Sequence, residues 1–188
     1  MLIPSRTECM ELLEQFDMPQ HIRRHSLLVA EVALLLAVRL NQNSSRFDLR
    51  LIEAAALLHD IGKVSSLETG ENHAALGAQM IDGIVAPAIA RIVAEHISLD
   101  SSQVAGPVTE SLIVNYSDKR VRHDQVVLIE ERYLDLIERY AKAPSHVLFL
   151  RHKLDLCSAL ERTIFSHLTI TPDGSEIMGI TIDHIKGA

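Results

Sequence analysis

Apolar residues recur along most of this chain at the three- and four-residue spacing that places them on one face of an α-helix. Between positions 21 and 40 they lie on nearly all sides, a pattern typical of a buried central helix. Asn72 resembles a helix N-cap, and Pro87 and Pro144 stand where a first helical turn tolerates proline. The pattern predicts helices over residues 7–16, 21–40, 48–59, 72–84, 87–96, 108–118, 127–140 and 144–165, with a loop over 98–107.

The C-terminal segment has a different pattern. The turn signal Thr171-Pro-Asp-Gly174 separates two short runs rich in β-branched residues, and such an arrangement predicts a hairpin. The sequence therefore predicts an all-α fold in one domain, residues 1–188. Its helical bundle has a core at 21–140, and a small extended or hairpin appendage follows at 166–188.

Composition narrows the class of protein. The 47% of hydrophobic residues excludes a disordered chain, and the net charge of −7 argues against a nucleic-acid-coating role. Two cysteines cannot form a disulfide framework, so we expect a reducing, cytoplasmic location. The longest apolar run, 27–38, contains Glu31 and is shorter than the ~20 residues that a bilayer requires, so no membrane span is expected.

The ten histidines are the unusual feature of the composition. The pair His59-Asp60 ends an apolar helix, where a polar or charged group is costly unless a partner or a metal ion satisfies it. His25, His96 and Asp118 also follow or interrupt apolar helical segments. Any one of them alone is more often a satisfied core residue. Four apolar helices that each supply His or Asp favour a metal site, and this ligand set suits Mn, Fe, Ni, Co or Zn.

These residues stand in motifs that resemble the HD superfamily of metal-dependent phosphohydrolases, with its H…HD…D pattern. The resemblance covers about residues 21–140. Its motifs are HSLLVA from position 25, LLHDIGK from position 57 and NYSDKR from position 115. HAALGA from position 73 and IVAEH ending at position 96 resemble the additional histidines of the binuclear subgroup. That subgroup includes cyclic dinucleotide phosphodiesterases, but their Gly-Tyr-Pro signature is absent from this sequence.

The resemblance implies a role for each matching residue. One divalent transition-metal ion would be held by His25, His59 and Asp118, and a second by His73 and His96, with Asp60 bridging the two. Lys63 matches the catalytic or substrate-binding lysine of the family.

The implied activity is hydrolysis of a phosphate ester of a nucleotide or another small molecule by a metal-activated water. Asp60 and Lys63 are the expected catalytic residues. Lys63, Lys119 and Arg122 are the expected substrate-binding residues, because positive charge attracts a phosphate. Lys119, Arg120 and Arg122 serve equally well as a surface run.

Two other functions remain open at this stage. Some members of the superfamily with the same ligands use a di-iron centre to oxidise small molecules with O₂, although Lys63 favours hydrolysis. A third reading is a metal-binding sensor without turnover.

Two further patterns have simpler interpretations. The pair His123-Asp124 lies in a charged run and is expected at the surface. The stripe Ile129, Tyr133, Leu136, Ile137 and Tyr140 predicts core packing, with a homodimer contact as the alternative, and the acidic residues between them are expected on a solvated face.

Overall fold

Helices form most of the part of the chain that the computed structural model describes, residues 2–42 and 46–184. The predicted all-α fold is confirmed. The last four residues of the predicted appendage, 185–188, lie outside the described residues. The elements are α1 (Arg6–Gln15), α2 (Gln20–Asn41), α3 (Leu49–Leu58), α4 (Lys63–Thr69), α5 (His73–Met80), α6 (Pro87–Glu95), α7 (Ser101–Ala105), α8 (Glu110–Lys119), β1 (Val121–Arg122), β2 (Gln125–Val126), α9 (Ile129–Tyr140), α10 (Pro144–Phe165) and α11 (Ser175–Met178), followed by a 3₁₀ turn at Ile182–His184.

Local sequence explains where the principal helices begin. The side chains of Asp48 and Asn72 accept hydrogen bonds from backbone N–H groups in the first turns of α3 and α5, and Thr109 caps α8 in the same way. Pro87 and Pro144 open α6 and α10, because the first turn of a helix does not need the missing N–H. These capping residues and prolines set where the helices begin, including the helices that carry the candidate site.

The core is built around α2. This helix packs against α3 and α8, α6 packs against the same two helices, and α5 lies on α6. Most residues in the middle of α2 are fully buried, which explains why its apolar positions occupy nearly all sides. Among the described residues, no helix combines the length and the apolar character needed to cross a membrane.

Several short elements were not predicted. α4 and α7 contain no buried residue, so they leave no apolar period in the sequence. The strands β1 and β2 form an antiparallel pair, Val121 opposite Val126 and Arg122 opposite Gln125, and two residues per strand are too few to show alternation. α7 occupies part of the predicted loop at 98–107.

The predicted C-terminal hairpin is wrong. The turn exists, since the Gly174 amide donates to the Thr171 carbonyl at 3.0 Å, but the residues after it form α11 and the 3₁₀ turn. Ile177 and Ile182 are buried against the helices, and this packing replaces strand pairing. The isoleucines of this segment therefore reflect its packing on the core rather than a sheet.

Of the three basic residues for which a surface run was the equal alternative, Arg120 is not at the surface, because it is fully buried. Its Nε donates to the Val127 carbonyl, its Nη1 to the Tyr116 hydroxyl and its Nη2 to the Pro172 carbonyl, each at 2.7 Å. Nη1 also lies 3.6 Å from a carboxylate oxygen of Glu161 in α10. Arg120 thus joins α8 to the β-hairpin, to α10 and to the appendage.

In the α9 stripe, Ile129 and Tyr133 are buried, as core packing predicts, while Tyr140 is 62% exposed. A homodimer contact through this helix stays a prediction.

Candidate metal centre

Six polar side chains from five parts of the chain meet at one end of the helical core. The apolar faces of α2, α3, α6 and α8 pack together, and their polar positions near or after the helix ends point to the same place. The six residues are His25 early in α2, His59 directly after α3, Asp60 in the following turn, His73 at the start of α5, His96 directly after α6 and Asp118 near the end of α8.

Asp60 lies in the middle of this cluster, and its two carboxylate oxygens face different histidines. Oδ2 is 3.5 Å from Nε2 of His59 and 4.0 Å from Nε2 of His25. Oδ1 is 3.4 Å from Nε2 of His73 and 3.9 Å from Nε2 of His96. One carboxylate therefore adjoins two separate groups of imidazole nitrogens.

Each group is itself closely spaced. Asp118 Oδ1 lies 3.1 Å from Nε2 of His25 and 3.6 Å from Nε2 of His59. On the other side, the Nε2 atoms of His73 and His96 are 3.2 Å apart. The six residues form three overlapping sets whose potential ligand atoms lie within 4.8 Å of one another. The predicted residues are thus all brought together.

Hydrogen bonds from the opposite ring nitrogen, Nδ1, orient three of the histidines. Nδ1 of His59 is 2.7 Å from the Ala56 carbonyl, and Nδ1 of His96 is 2.7 Å from the Val93 carbonyl. Nδ1 of His25 is 3.2 Å from the carbonyl of His123. Because a carbonyl only accepts, each Nδ1 carries a proton, so Nε2 is the nitrogen of each ring that faces the cluster and that a metal ion would bind. Metal-ligating histidines are held by this kind of bond.

An unsatisfied ring nitrogen in the cluster also fits a bound metal ion. Nε2 of His59 is fully buried and has no hydrogen-bond partner among the described residues. A buried nitrogen without a partner is costly, and a metal ion would satisfy it. Imidazole nitrogens and carboxylate oxygens without a thiolate are the donors that Mn, Fe, Ni, Co and Zn accept.

The electrostatics of the cluster favour bound positive charge. Burial alone would raise the pKa of Asp60, but His59 and Lys63 outweigh it and hold that pKa well below its usual value. Asp118 behaves in the same way under the influence of Lys119 and the neighbouring histidines. Both carboxylates are therefore ionised inside the protein.

Burial and the charges of the carboxylates shift the pKa values of the histidines in opposite directions. Burial alone would lower the pKa of His59, but the carboxylates of Asp60 and Asp118 raise it to about 10. Burial lowers the pKa of His96 to about 3 and also lowers that of His73, so both imidazoles are neutral and able to bind a metal ion. The two carboxylates thus favour a positive charge at His59, and a bound metal ion would take the place of a proton there.

Two lysines flank the carboxylates. Lys63 Nζ lies 2.7 Å from Oδ2 of Asp60, and Lys119 Nζ pairs with Oδ2 of Asp118. The side chain of Lys63 is 46% exposed and faces a cavity, whereas that of Lys119 is largely buried.

A cavity of about 460 Å³ opens beside His25, Asp60 and Lys63. The first turns of α2, α4, the tip of the β-hairpin and α9 form its walls. Its cationic lining residues are Arg24, Lys63, Arg132 and Arg139.

The predicted substrate-binding residues are only partly among this lining. Lys119 and Arg122 are not part of it, so their predicted role gains no support from the structure and stays a prediction. The sequence did not point to Arg132 and Arg139, because only the packing of α9 beside the site brings them there.

His123 and Asp124 are exposed, as expected, yet both line this cavity. His123 adopts a positive φ of 58° at the tip of the hairpin, and its carbonyl orients His25. Asp124 pairs with Arg24 at 3.2 Å. A charged run at a two-residue turn carries no signal that would reveal such roles.

The helical fold and the buried His and Asp cluster define a metal-binding domain. The family model of the HD domain matches residues 22–143, and the chain belongs to this family. Membership and the side-chain clusters together indicate that the protein binds divalent metal.

Two curated relatives carry the name tRNA (cytidine(56)-2′-O)-methyltransferase. The protein of Thermoplasma volcanium is 29% identical over 163 residues, which cover 75% of this chain and 46% of the relative. That of Picrophilus torridus is 29% identical over 164 residues, covering 80% of this chain and 45% of the relative. The chain therefore spans less than half the length of these relatives. No solved structure matches the chain.

Proposed function

We propose that this protein is a metal-dependent phosphohydrolase that cleaves a phosphate ester of a nucleotide or another small molecule. The observation that carries this proposal is the position of Asp60, whose two oxygens adjoin two groups of imidazole Nε2 atoms beside a basic cavity. A phosphate ester is an anion, and this cavity presents cations next to the cluster.

The residues present would hold two ions. His25, His59 and Asp118, with Oδ2 of Asp60, suit one ion. His73 and His96, with Oδ1 of Asp60, suit the other. When bound, such ions polarise a phosphoryl oxygen and lower the pKa of a water molecule toward neutrality. The native metal is one of Fe, Mn, Ni, Co or Zn in this proposal.

In this proposal, residues around the ligands bind the substrate and orient the imidazole rings. Lys63 pairs with Oδ2 of Asp60 and faces the cavity, so its ammonium is placed to donate to a phosphoryl oxygen that arrives beside that carboxylate. The carbonyl of His123 and the hydrogen bonds of His59 and His96 keep each Nε2 directed toward the cluster. Arg24 also lines the cavity, where it pairs with Asp124.

The test is phosphate release from a panel of nucleotides and sugar phosphates, with Mn²⁺, Fe²⁺, Ni²⁺, Co²⁺ or Zn²⁺ added in turn. We expect release with at least one metal and a loss of at least a hundredfold in Asp60→Ala. Asp82→Ala removes an exposed carboxylate and is the matched control, expected to keep full activity. Absence of release with every metal, or equal activity in Asp60→Ala, would overturn the proposal.

The names of the relatives favour a second candidate substrate, a phosphate ester carried by RNA. The match covers three quarters or more of this chain, so it must include part of the HD domain, and those proteins are named for action on tRNA. Hydrolysis of a 3′-phosphorylated RNA oligonucleotide, with no action on free nucleotides, would favour this candidate.

The same metal-loaded preparations of the protein also test the two other functions that the ligand set permits. Oxygen consumption by the iron-loaded protein, without phosphate release, would favour a di-iron oxygenase. Metal binding without either reaction would favour a sensor.

A further inference from the structure

Two arginines stand one above the other on the face of α9 that forms a wall of the cavity. Arg132 and Arg139 are seven residues apart, which is close to two helical turns. Asp135 lies between them on the same face. Its Oδ2 accepts from Arg132 Nη1 at 3.1 Å, and its Oδ1 accepts from Arg139 Nε at 2.9 Å. One carboxylate therefore fixes the position of two guanidinium groups.

In this arrangement, the two guanidinium groups carry more positive charge and more hydrogen-bond donors than the carboxylate of Asp135 can match. A single carboxylate faces two guanidiniums, and Arg132 Nε is buried with no hydrogen-bond partner among the described residues. The acidic residues of α9 were expected on a solvated face, but the side chain of Asp135 is only 12% exposed. A planar guanidinium with free donors is the group that best matches a phosphoryl oxygen pair.

The arginine pair is joined to the metal centre through His123. The backbone carbonyl of His123 accepts a hydrogen bond from His25 Nδ1. The side-chain Nε2 of His123 lies 2.8 Å from Arg139 Nη2. Both the arginines and Asp60 line the same cavity, whose volume of about 460 Å³ falls within the range of small-molecule sites. The apolar side chains of Ile22 and Tyr140 complete the wall.

We propose that Arg132 and Arg139 form a second anion subsite, which binds a phosphoryl group other than the one that is cleaved. The inference rests on the proposed function of the metal centre. It narrows the substrate to a molecule with two phosphate ester groups, such as a nucleoside bisphosphate, one group at the metal ligands and the other at the arginines. Asp135 is a positioning residue for this subsite.

The first test measures anion binding without turnover. Inorganic pyrophosphate is titrated calorimetrically into the full chain after treatment with a chelator, at low ionic strength. We expect Arg132→Gln/Arg139→Gln to weaken binding at least tenfold. Arg91→Gln/Arg151→Gln removes two charges from exposed positions outside the cavity, and we expect a change of less than twofold. Equal affinities in the two double variants would overturn the proposal.

The second test measures substrate choice in the metal-loaded protein. We expect Arg132→Gln/Arg139→Gln to lower kcat/KM at least tenfold more for adenosine 3′,5′-bisphosphate than for adenosine monophosphate. If the double variant fails to fold, Arg139→Gln alone serves, because this side chain is 44% exposed, and it should lower that ratio at least threefold. An unchanged ratio would contradict the subsite.

The two proposals fail in different ways. Pyrophosphate binding that depends on the arginines, without hydrolysis of any ester, would retain the subsite and reject the phosphohydrolase. Hydrolysis that ignores the second phosphoryl group, with pyrophosphate binding independent of the arginines, would do the reverse.

Discussion

The histidines that follow α3 and α6 each make one hydrogen bond that caps the helix end and orients the ring toward the candidate metal centre. The carbonyls near the C-terminus of a helix lack intrahelical partners. His59 donates from Nδ1 to Ala56 and His96 to Val93, in each case three residues back in the helix that has just ended. The bond satisfies a free carbonyl and at the same time directs Nε2 toward Asp60. In this protein, an apolar helix followed by histidine is therefore a short local pattern that produces an oriented candidate ligand.

His73 gives the most direct test of a two-ion centre at the level of one residue. Its side chain is 28% exposed, so truncation removes a ligand without opening a large core cavity. We expect His73→Ala to lower the bound metal from about two ions to about one per chain, because His25, His59 and Asp118 remain. Elemental analysis of the purified protein measures this number.

The control for that change is His146→Ala, which alters an exposed histidine on α10 and should leave the metal content at the wild-type value. An unchanged metal content in His73→Ala would show that this histidine is not a ligand.

At the scale of elements, the turn that carries Asp60 is held by direct contact between two backbones. A Cβ added at Gly62 would lie 2.4 Å from the Gly77 amide nitrogen and 2.4 Å from the His73 carbonyl oxygen. No side chain fits in this space, so the turn after α3 rests on the backbone of α5. The contact sets the distance between Asp60 and His73.

Gly62→Ala should therefore damage both stability and the second metal position. The added methyl group meets backbone that cannot move aside as a side chain would, and overpacking of this kind costs about 1–3 kcal/mol or more. We expect a lower free energy of unfolding, measured with denaturant, and reduced metal content.

Gly106→Ala is the matched control, because the nearest atoms to its added Cβ lie at 3.4 Å, an ordinary contact. Equal stability and metal content in the two variants would contradict the close packing of the turn on α5.

Elements with many buried residues are the ones that the sequence predicts well. α2, α3, α6 and α8 have apolar periods because they form the core, and five of the candidate metal ligands stand within these helices or directly after them. α4, α7 and the β-hairpin bury too little to leave a period. The cavity wall depends on how α9 and the hairpin tip pack beside α2, so Arg132, Arg139 and the role of His123 follow from tertiary contacts and not from local spacing.

At the scale of the whole molecule, Arg120 connects the metal centre to the C-terminal part of the chain. It lies two residues after Asp118, and its guanidinium reaches the β-hairpin, α10 and the appendage. The Tyr116 hydroxyl lies between them, since it accepts from Arg120 and donates to Glu161 at 2.5 Å. A buried arginine in such a network is held by partners from segments that are distant in sequence.

Arg120→Gln should destabilise the whole protein. The substitution leaves the Glu161 carboxylate without its cation and the Val127 and Pro172 carbonyls without a donor. Loss of one member of a buried ion pair costs about 3–5 kcal/mol. For a chain of this size, that loss corresponds to a decrease in Tm of about 10 °C, which a thermal unfolding experiment followed by circular dichroism measures.

A second substitution separates the loss of the ion pair from a general loss of packing. Glu161→Gln added to Arg120→Gln removes the uncompensated carboxylate, so we expect it to recover part of the lost stability, whereas Glu161→Gln alone should destabilise the protein. Arg151→Gln changes an exposed arginine on α10 and should leave Tm within about 2 °C, as for ordinary surface substitutions. A Tm of Arg120→Gln equal to that of Arg151→Gln would show that the appendage and α10 are held to α8 by apolar contacts such as those of Ile177, and not by this network.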